Sequence, residues 1–145
     1  MPTTFKIVAA ATGNLVTSIN EAILPEFHAL GKRGYLVPKE FDEDASEHQE
    51  WIITKSPVHE GGFVIHQAHE TENVIRWTPN APRHKICVWK AEPGQIKQVW
   101  KLTKNNEIVP FSDESKNFHV SAEKEFMVGE FKQRFYLALV PSSFE

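Results

Sequence analysis

The chain has 145 residues, of which 41 % are hydrophobic and 24 % charged, and its formal net charge is −3. That balance supports one packed domain and excludes wholesale disorder and a globally basic nucleic-acid binder. A lone cysteine, Cys87, allows no internal disulfide, no apolar run is long enough to span a bilayer, and Met1 to Lys6 carries neither the basic nor the apolar region of a signal peptide, so a cytoplasmic protein held by packing alone is expected.

Taken in chain order, short apolar segments alternate with polar positions and are bounded by Gly, Pro, Asn or Asp. Residues 4–10 and 14–19 read as strands around the turn Thr12-Gly13-Asn14. Residues 21–30 are the one stretch with room for a few helical turns, and Pro25 interrupts it. Strands at 34–38 and 50–55 enclose the acidic segment Glu40, Asp42, Glu43, Asp44, Glu47 and Glu50. A calcium loop needs oxygen ligands at set spacing and a glycine at its sharp turn, and this segment has neither, so it reads as a solvated loop. Strands follow at 62–67, 73–77, 85–90 and 98–103. The region 83–104 sets Arg83, Lys85, Lys90, Lys97, Lys101 and Lys104 against Glu92 alone, with Trp89 and Trp100 between them. Such interleaving also suits single-stranded nucleic acid, but it reads more simply as strands with lysines facing water and tryptophans facing a core. The last strands are 107–111, 117–121, 126–130 and 135–140, which makes twelve and an all-β architecture.

The strands repeat. Gln49-Glu50-Trp51-Ile52-Ile53-Thr54-Lys55 returns as Gln98-Val99-Trp100-Lys101-Leu102-Thr103-Lys104, and a degenerate third copy is Arg134-Phe135-Tyr136-Leu137-Ala138-Leu139-Val140. The strands that open the units match in type: Phe5-Lys6-Ile7-Val8, Phe63-Val64-Ile65-His66 and Glu107-Ile108-Val109-Pro110. Three four-strand repeats, at about 4–56, 61–104 and 106–141, therefore fill a single domain. No such unit buries its own apolar face, so the three must share one core. Trp51, Trp100 and either Phe135 or Tyr136 are the expected common aromatic layer.

The Gln-x-Trp tripeptides Gln49-Glu50-Trp51 and Gln98-Val99-Trp100 resemble those of the ricin B-type β-trefoil, with the third copy replaced by Arg134-Phe135-Tyr136. The resemblance implies a β-trefoil of twelve strands with pseudo-threefold symmetry. In length and layout the chain is similar to the disulfide-free fungal trefoil lectins, which are cytoplasmic and act in defence, and to the mycocypins, which are fungal trefoil protease inhibitors. The lectin likeness implies glycans or glycoproteins as partners and a sugar site at Trp77, Thr78, Lys97, Gln98 and Val99. A ricin-style galactose site needs an aspartate soon after a unit's first strand, and only Asp113, with Asn117, meets that need. The mycocypin likeness implies that the turn holding Gly13 and Asn14 blocks a papain-type cleft. Separately, Arg83 on its proline-flanked loop offers a basic side chain to a trypsin-like pocket.

Sugar sites pair an aromatic face with planar polar groups, a need that Trp77 and, second, Trp89 meet. His59, His66, His69 and Glu70 invite a metal, but strand parity turns His66 and His69 to opposite faces. Cys87 and His84 are likewise set apart on an extended chain, which argues against a thiol nucleophile. No phosphate-loop, dinucleotide or serine-hydrolase fingerprint occurs. The reading is a non-enzymatic binding protein without metal or cofactor. Glycan is its first expected partner and a protease its second, with neither nucleic acid nor membrane insertion.

Overall fold

The computed structural model describes residues 3–19, 25–80, 85–121 and 124–141. Twelve strands lie among them: β1 (Thr4–Ala9), β2 (Leu15–Ile19), β3 (Lys32–Lys39), β4 (Trp51–Lys55), β5 (Phe63–Gln67), β6 (Asn73–Trp77), β7 (Ile86–Lys90), β8 (Trp100–Leu102), β9 (Ile108–Pro110), β10 (Asn117–Val120), β11 (Phe126–Gly129) and β12 (Phe135–Leu139). Each expected strand has its counterpart. The short helix α1 (Pro25–Leu30) starts at Pro25, which sits where a missing N–H costs nothing, so the proline opens the helix instead of interrupting it. The acidic segment coils into 3₁₀ turns over Glu43–Gln49, capped by the Asp42 carboxylate, which accepts the Asp44 N–H at 3.0 Å.

Six strands close a barrel. Antiparallel pairing runs β12–β1, β1–β4, β4–β5, β5–β8 and β8–β9. The ring is completed by the Glu107–Arg134 bridge and by the Phe135 N–H, which donates to Asn106 O at 2.8 Å. Closure removes the barrel's free edges. The remaining strands form three hairpins, β2–β3, β6–β7 and β10–β11. The first two are joined by β3–β7 pairing.

The register sets the threefold equivalence. Ala9, Gln67 and Pro110 stand opposite Phe135, Trp51 and Trp100. Phe135 is therefore the third aromatic, with 1 % of its surface exposed, while Tyr136 points outward at 50 %. The third tripeptide reads Gln133-Arg134-Phe135, one residue upstream of the expected frame, so unit three keeps its glutamine and replaces Trp with Phe. The same register makes Ile7, Ile65 and Ile108 equivalent, a one-residue shift in unit three from the expected match of opening strands.

Above the aromatic layer lie two further layers, Val16, Ile75 and Phe118, then Leu36, Ile86 and Phe126, all buried. The Trp51 Nε1–H donates to Val16 O at 3.0 Å, and the Trp100 Nε1–H to Ile75 O at 3.1 Å. Phe135 has no such donor. Unit three compensates with ring packing, since Phe118 replaces the aliphatic residue and meets Phe135, Trp100 and Phe126 at centroid distances of 5.3, 5.6 and 4.9 Å. Trp100→Phe should therefore cost about 1–3 kcal/mol, because it leaves a buried carbonyl without its donor. Trp100→Ala should cost about 3–5 kcal/mol. Urea denaturation of both variants against the parent chain measures the two numbers.

Candidate ligand-binding site

The hairpins place one recurring surface position beside each unit's glutamine. Leu15 faces Lys39, Val74 faces Trp89 and Asn117 faces Gly129, so Lys39, Trp89 and Gly129 are equivalent. By the same count Thr17, Arg76 and His119 correspond, as do Ser18, Trp77 and Val120. The floor of the position is built alike in units one and two. Gln49 Nε2 donates to Glu40 O at 2.8 Å while its Oε1 accepts from Asp42 N at 3.0 Å. Gln98 Nε2 donates to Lys90 O at 3.0 Å while its Oε1 accepts from Glu92 N at 2.8 Å. Each carboxamide straps the loop that follows the hairpin, which is why both glutamines are buried.

What stands on that floor differs. In unit one it is open: a pocket of about 340 Å³ lined by Thr17, Ser18, Lys39, Asp42, His48 and Gln49 together with Ile19 and Ala45. Small side chains at 17 and 18 leave the space. Gln49 Nε2 reaches Thr17 Oγ1 at 3.2 Å, and Ser18 Oγ lies 3.3 Å from His48 Nδ1. His48 packs edge-on against His69 of the next unit, with ring centroids 5.1 Å apart. In unit two the position is filled. The Arg76 guanidinium lies 4.7 Å over the Trp89 ring, and Glu92 receives Arg76, Trp89 and Gln95, each at 3.4 Å. In unit three the connecting loop is cut to residues 130–132. There Gln133 accepts the Val120 N–H at 2.8 Å, and His119 lies over Gly129 with its ring 5.6 Å from Phe131.

No protein-family model matches the chain, and no curated protein matches it. Solved structures do. An endo-β-galactosidase from Clostridium perfringens that releases GlcNAcα1-4Gal is similar with a TM-score of 0.73 at 13 % identity, over 96 % of this chain and 33 % of that one. The protein called BEL β-trefoil is similar with a TM-score of 0.69 at 10 % identity, over 95 % and 93 %. The C-terminal half of an earthworm R-type lectin, solved in complex with GalNAc, gives 0.64 at 17 % identity, over 96 % and 100 %. The chain is a β-trefoil. It spans a third of the length of the endo-β-galactosidase, in which the trefoil is one part of a larger chain.

The trefoil distributes the sequence-predicted residues unevenly. Trp77 ends β6 half-buried and packs against the core. Thr78 follows it, its N–H bonded to Lys85 O at 2.6 Å. Lys97 and Gln98 belong to the 3₁₀ turn Ile96–Gln98, which packs against β6 and is capped by Val99. The Gln98 side chain is committed to its strap and Val99 is buried. Trp89 is half-buried under Arg76. Gly13 and Asn14 form the β1–β2 turn, with Gly13 exposed at φ +77°. Arg83 and His84 lie outside the described residues.

Asp113 is tied to its own turn. Its Oδ1 accepts from the N and Oγ of Ser115 at 3.2 and 2.5 Å, and Asn117 is buried. The Ser115 hydroxyl holds the Asp113 carboxyl below its ordinary range, so this contact supports the fold above that range and fades as pH falls through the lowered value. His66 bonds Thr71 O and Thr54, His69 bonds Glu47 O, and His59 approaches Gly94 O, so the three histidines face separate partners.

The unit-one pocket was not found from sequence. Its signal was the pair of small residues Thr17 and Ser18, where unit two carries Arg76 and Trp77.

Two outcomes test this geometry. Gly31 has φ +123°, and a Cβ there would come within 2.5 Å of Trp89 Nε1. Gly31→Ala should therefore lose about 1–3 kcal/mol in urea denaturation and shift the tryptophan emission. Burial pushes the Cys87 thiol above its ordinary value. Ellman's reagent at pH 8 should accordingly leave Cys87 unmodified in the native protein and modify it stoichiometrically in denaturant.

Proposed function

We propose that this trefoil is a non-enzymatic carbohydrate-binding protein that holds a single sugar residue in the unit-one pocket. The observation that carries the reading is the open pocket, with polar side chains in its lining, at a position that units two and three fill with their own side chains. A pyranose presents hydroxyls around an apolar ring, and about 340 Å³ accommodates one such ring. The Asp42 carboxylate accepts hydroxyl hydrogens, Lys39 donates, and His48 and Ser18 do either. The strap keeps these groups in place before a ligand arrives, which lowers the entropy lost on binding. Support also comes from the earthworm lectin of the same fold, which was solved with GalNAc bound.

The end of β6 is a second glycan contact in this reading. Trp77 supplies an apolar face there and Lys97 a donor, while Thr78, Gln98 and Val99 shape the contact from behind, their N–H groups already bonded within the chain. A defence role of the kind held by small cytoplasmic trefoil lectins belongs to the same proposal.

A glycan array with the intact chain is the test. Saturable binding to a glycan set should fall about tenfold or more in Asp42→Ala and in His48→Ala. Loss in Trp77→Ala with Asp42→Ala unaffected would move the site to unit two. Absence of any glycan binding, together with inhibition of papain that Gly13→Val abolishes, would replace the lectin reading with protease inhibition.

A further inference from the structure

The barrel end remote from the hairpins holds an apolar cavity of about 310 Å³. Its wall includes the equivalent residues Ile7, Ile65 and Ile108, paired across the barrel strands with Leu137, Ile53 and Leu102, and Phe5 and Phe63 line it as well. Trp100 lies between this cavity and the core. The cavity exists because of a mismatch between layers. One layer up, two indoles and a phenyl ring meet at the centre, whereas the six aliphatic side chains at this level, with Phe5 and Phe63 beside them, leave a cavity. Interiors close-pack when side-chain volume permits, and at this level it does not.

Charge is kept out. Lys101 is the one ionisable residue of the lining among the described residues, and strand alternation turns it outward between Trp100 and Leu102. Its Nζ pairs with Glu114 at 2.7 Å and lies 5.2 Å from the Phe111 ring centre. Among the described residues the mouth is open at Leu102, which remains 42 % exposed. A dry cavity of roughly 150 Å³ lined by Leu, Ile and Phe is enough to hold benzene. The barrel cavity is about twice that size.

We propose that the open end of the barrel is a binding site for a neutral apolar small molecule, the size of a few fused rings or a short alkyl chain. Neutrality follows from a lining of aliphatic and aromatic side chains whose one lysine is already paired with Glu114 and whose indole N–H is already bonded to Ile75 O, so an ionised group would lose its hydration without compensation. Size follows from the volume, which is too small for a helix or a strand of a partner. The site is independent of the glycan pocket and of the reading built on it.

The test is a titration of the full chain with 1-aminoanthracene, a neutral arene whose emission rises in apolar surroundings. One saturable site per chain is expected, with displacement by 1-octanol and poor displacement by octanoate. Ile53→Phe fills the cavity, and Leu102→Lys sets a charge at its rim without disturbing the core. Each should weaken the probe by about tenfold or more while near-ultraviolet circular dichroism stays native. Native-like variants that bind as the parent does would overturn the proposal. Octanoate displacing the probe as well as octanol would overturn its neutrality. Emission that grows only as the protein dimerises would assign the mouth to a second copy of the chain.

Discussion

Three aromatic side chains, each delivered by the strand that ends a unit, meet in one interior, and the remainder of the molecule is arranged around that meeting. Trp51 and Trp100 do more than fill space, because each indole N–H bonds a carbonyl on the first strand of a hairpin, β2 or β6, and so ties barrel to cap. A carbonyl at that depth has no water to turn to, so the bond also spares an unsatisfied group. Unit three reaches the same end by another route. Phe135 lacks the donor, and Phe118 supplies extra ring volume where Val16 and Ile75 stand in the other units. The pseudo-threefold symmetry is thus a symmetry of volume and position more than of side-chain identity.

Two residues before each aromatic stands the glutamine that fastens the loop over the hairpin. In units one and two its four strap bonds are alike, at 2.8 to 3.0 Å. The fold has therefore made the same platform twice and furnished it differently. Arg76, Trp89 and Glu92 occupy it in unit two, while Thr17 and Ser18 leave it vacant in unit one. Repetition permits this divergence, since a platform held by backbone contacts does not depend on the residues above it. The barrel shows the complementary case. Its closed end is packed by aromatics, and its open end, walled by Ile, Leu and two phenylalanines, has a cavity.

Much of the architecture was legible in the residues. Alternation and turn chemistry located the strands, and the recurrence of Gln49-Glu50-Trp51 at Gln98-Val99-Trp100 located the units, because short-range pattern and internal repetition are properties of the chain itself. The frame of the third unit was not legible: Phe135 and Tyr136 are adjacent and both aromatic, and only pairing of Phe135 with Ala9 shows which one turns inward. Pro25 had the same ambiguity, since a proline ends one helix and begins another.

Sequence by itself determined the all-β class, the three units and the buried aromatic layer, each of which follows from local periodicity and residue volume. Tertiary structure alone decided which surface position is open. Thr17, Lys39, Asp42 and His48 are dispersed along the chain, and register brings them together beside Gln49. Whether such a position is a pocket or a filled platform depends on the summed volume of side chains from separate strands and loops. That sum is a property of three-dimensional packing, and no linear pattern records it.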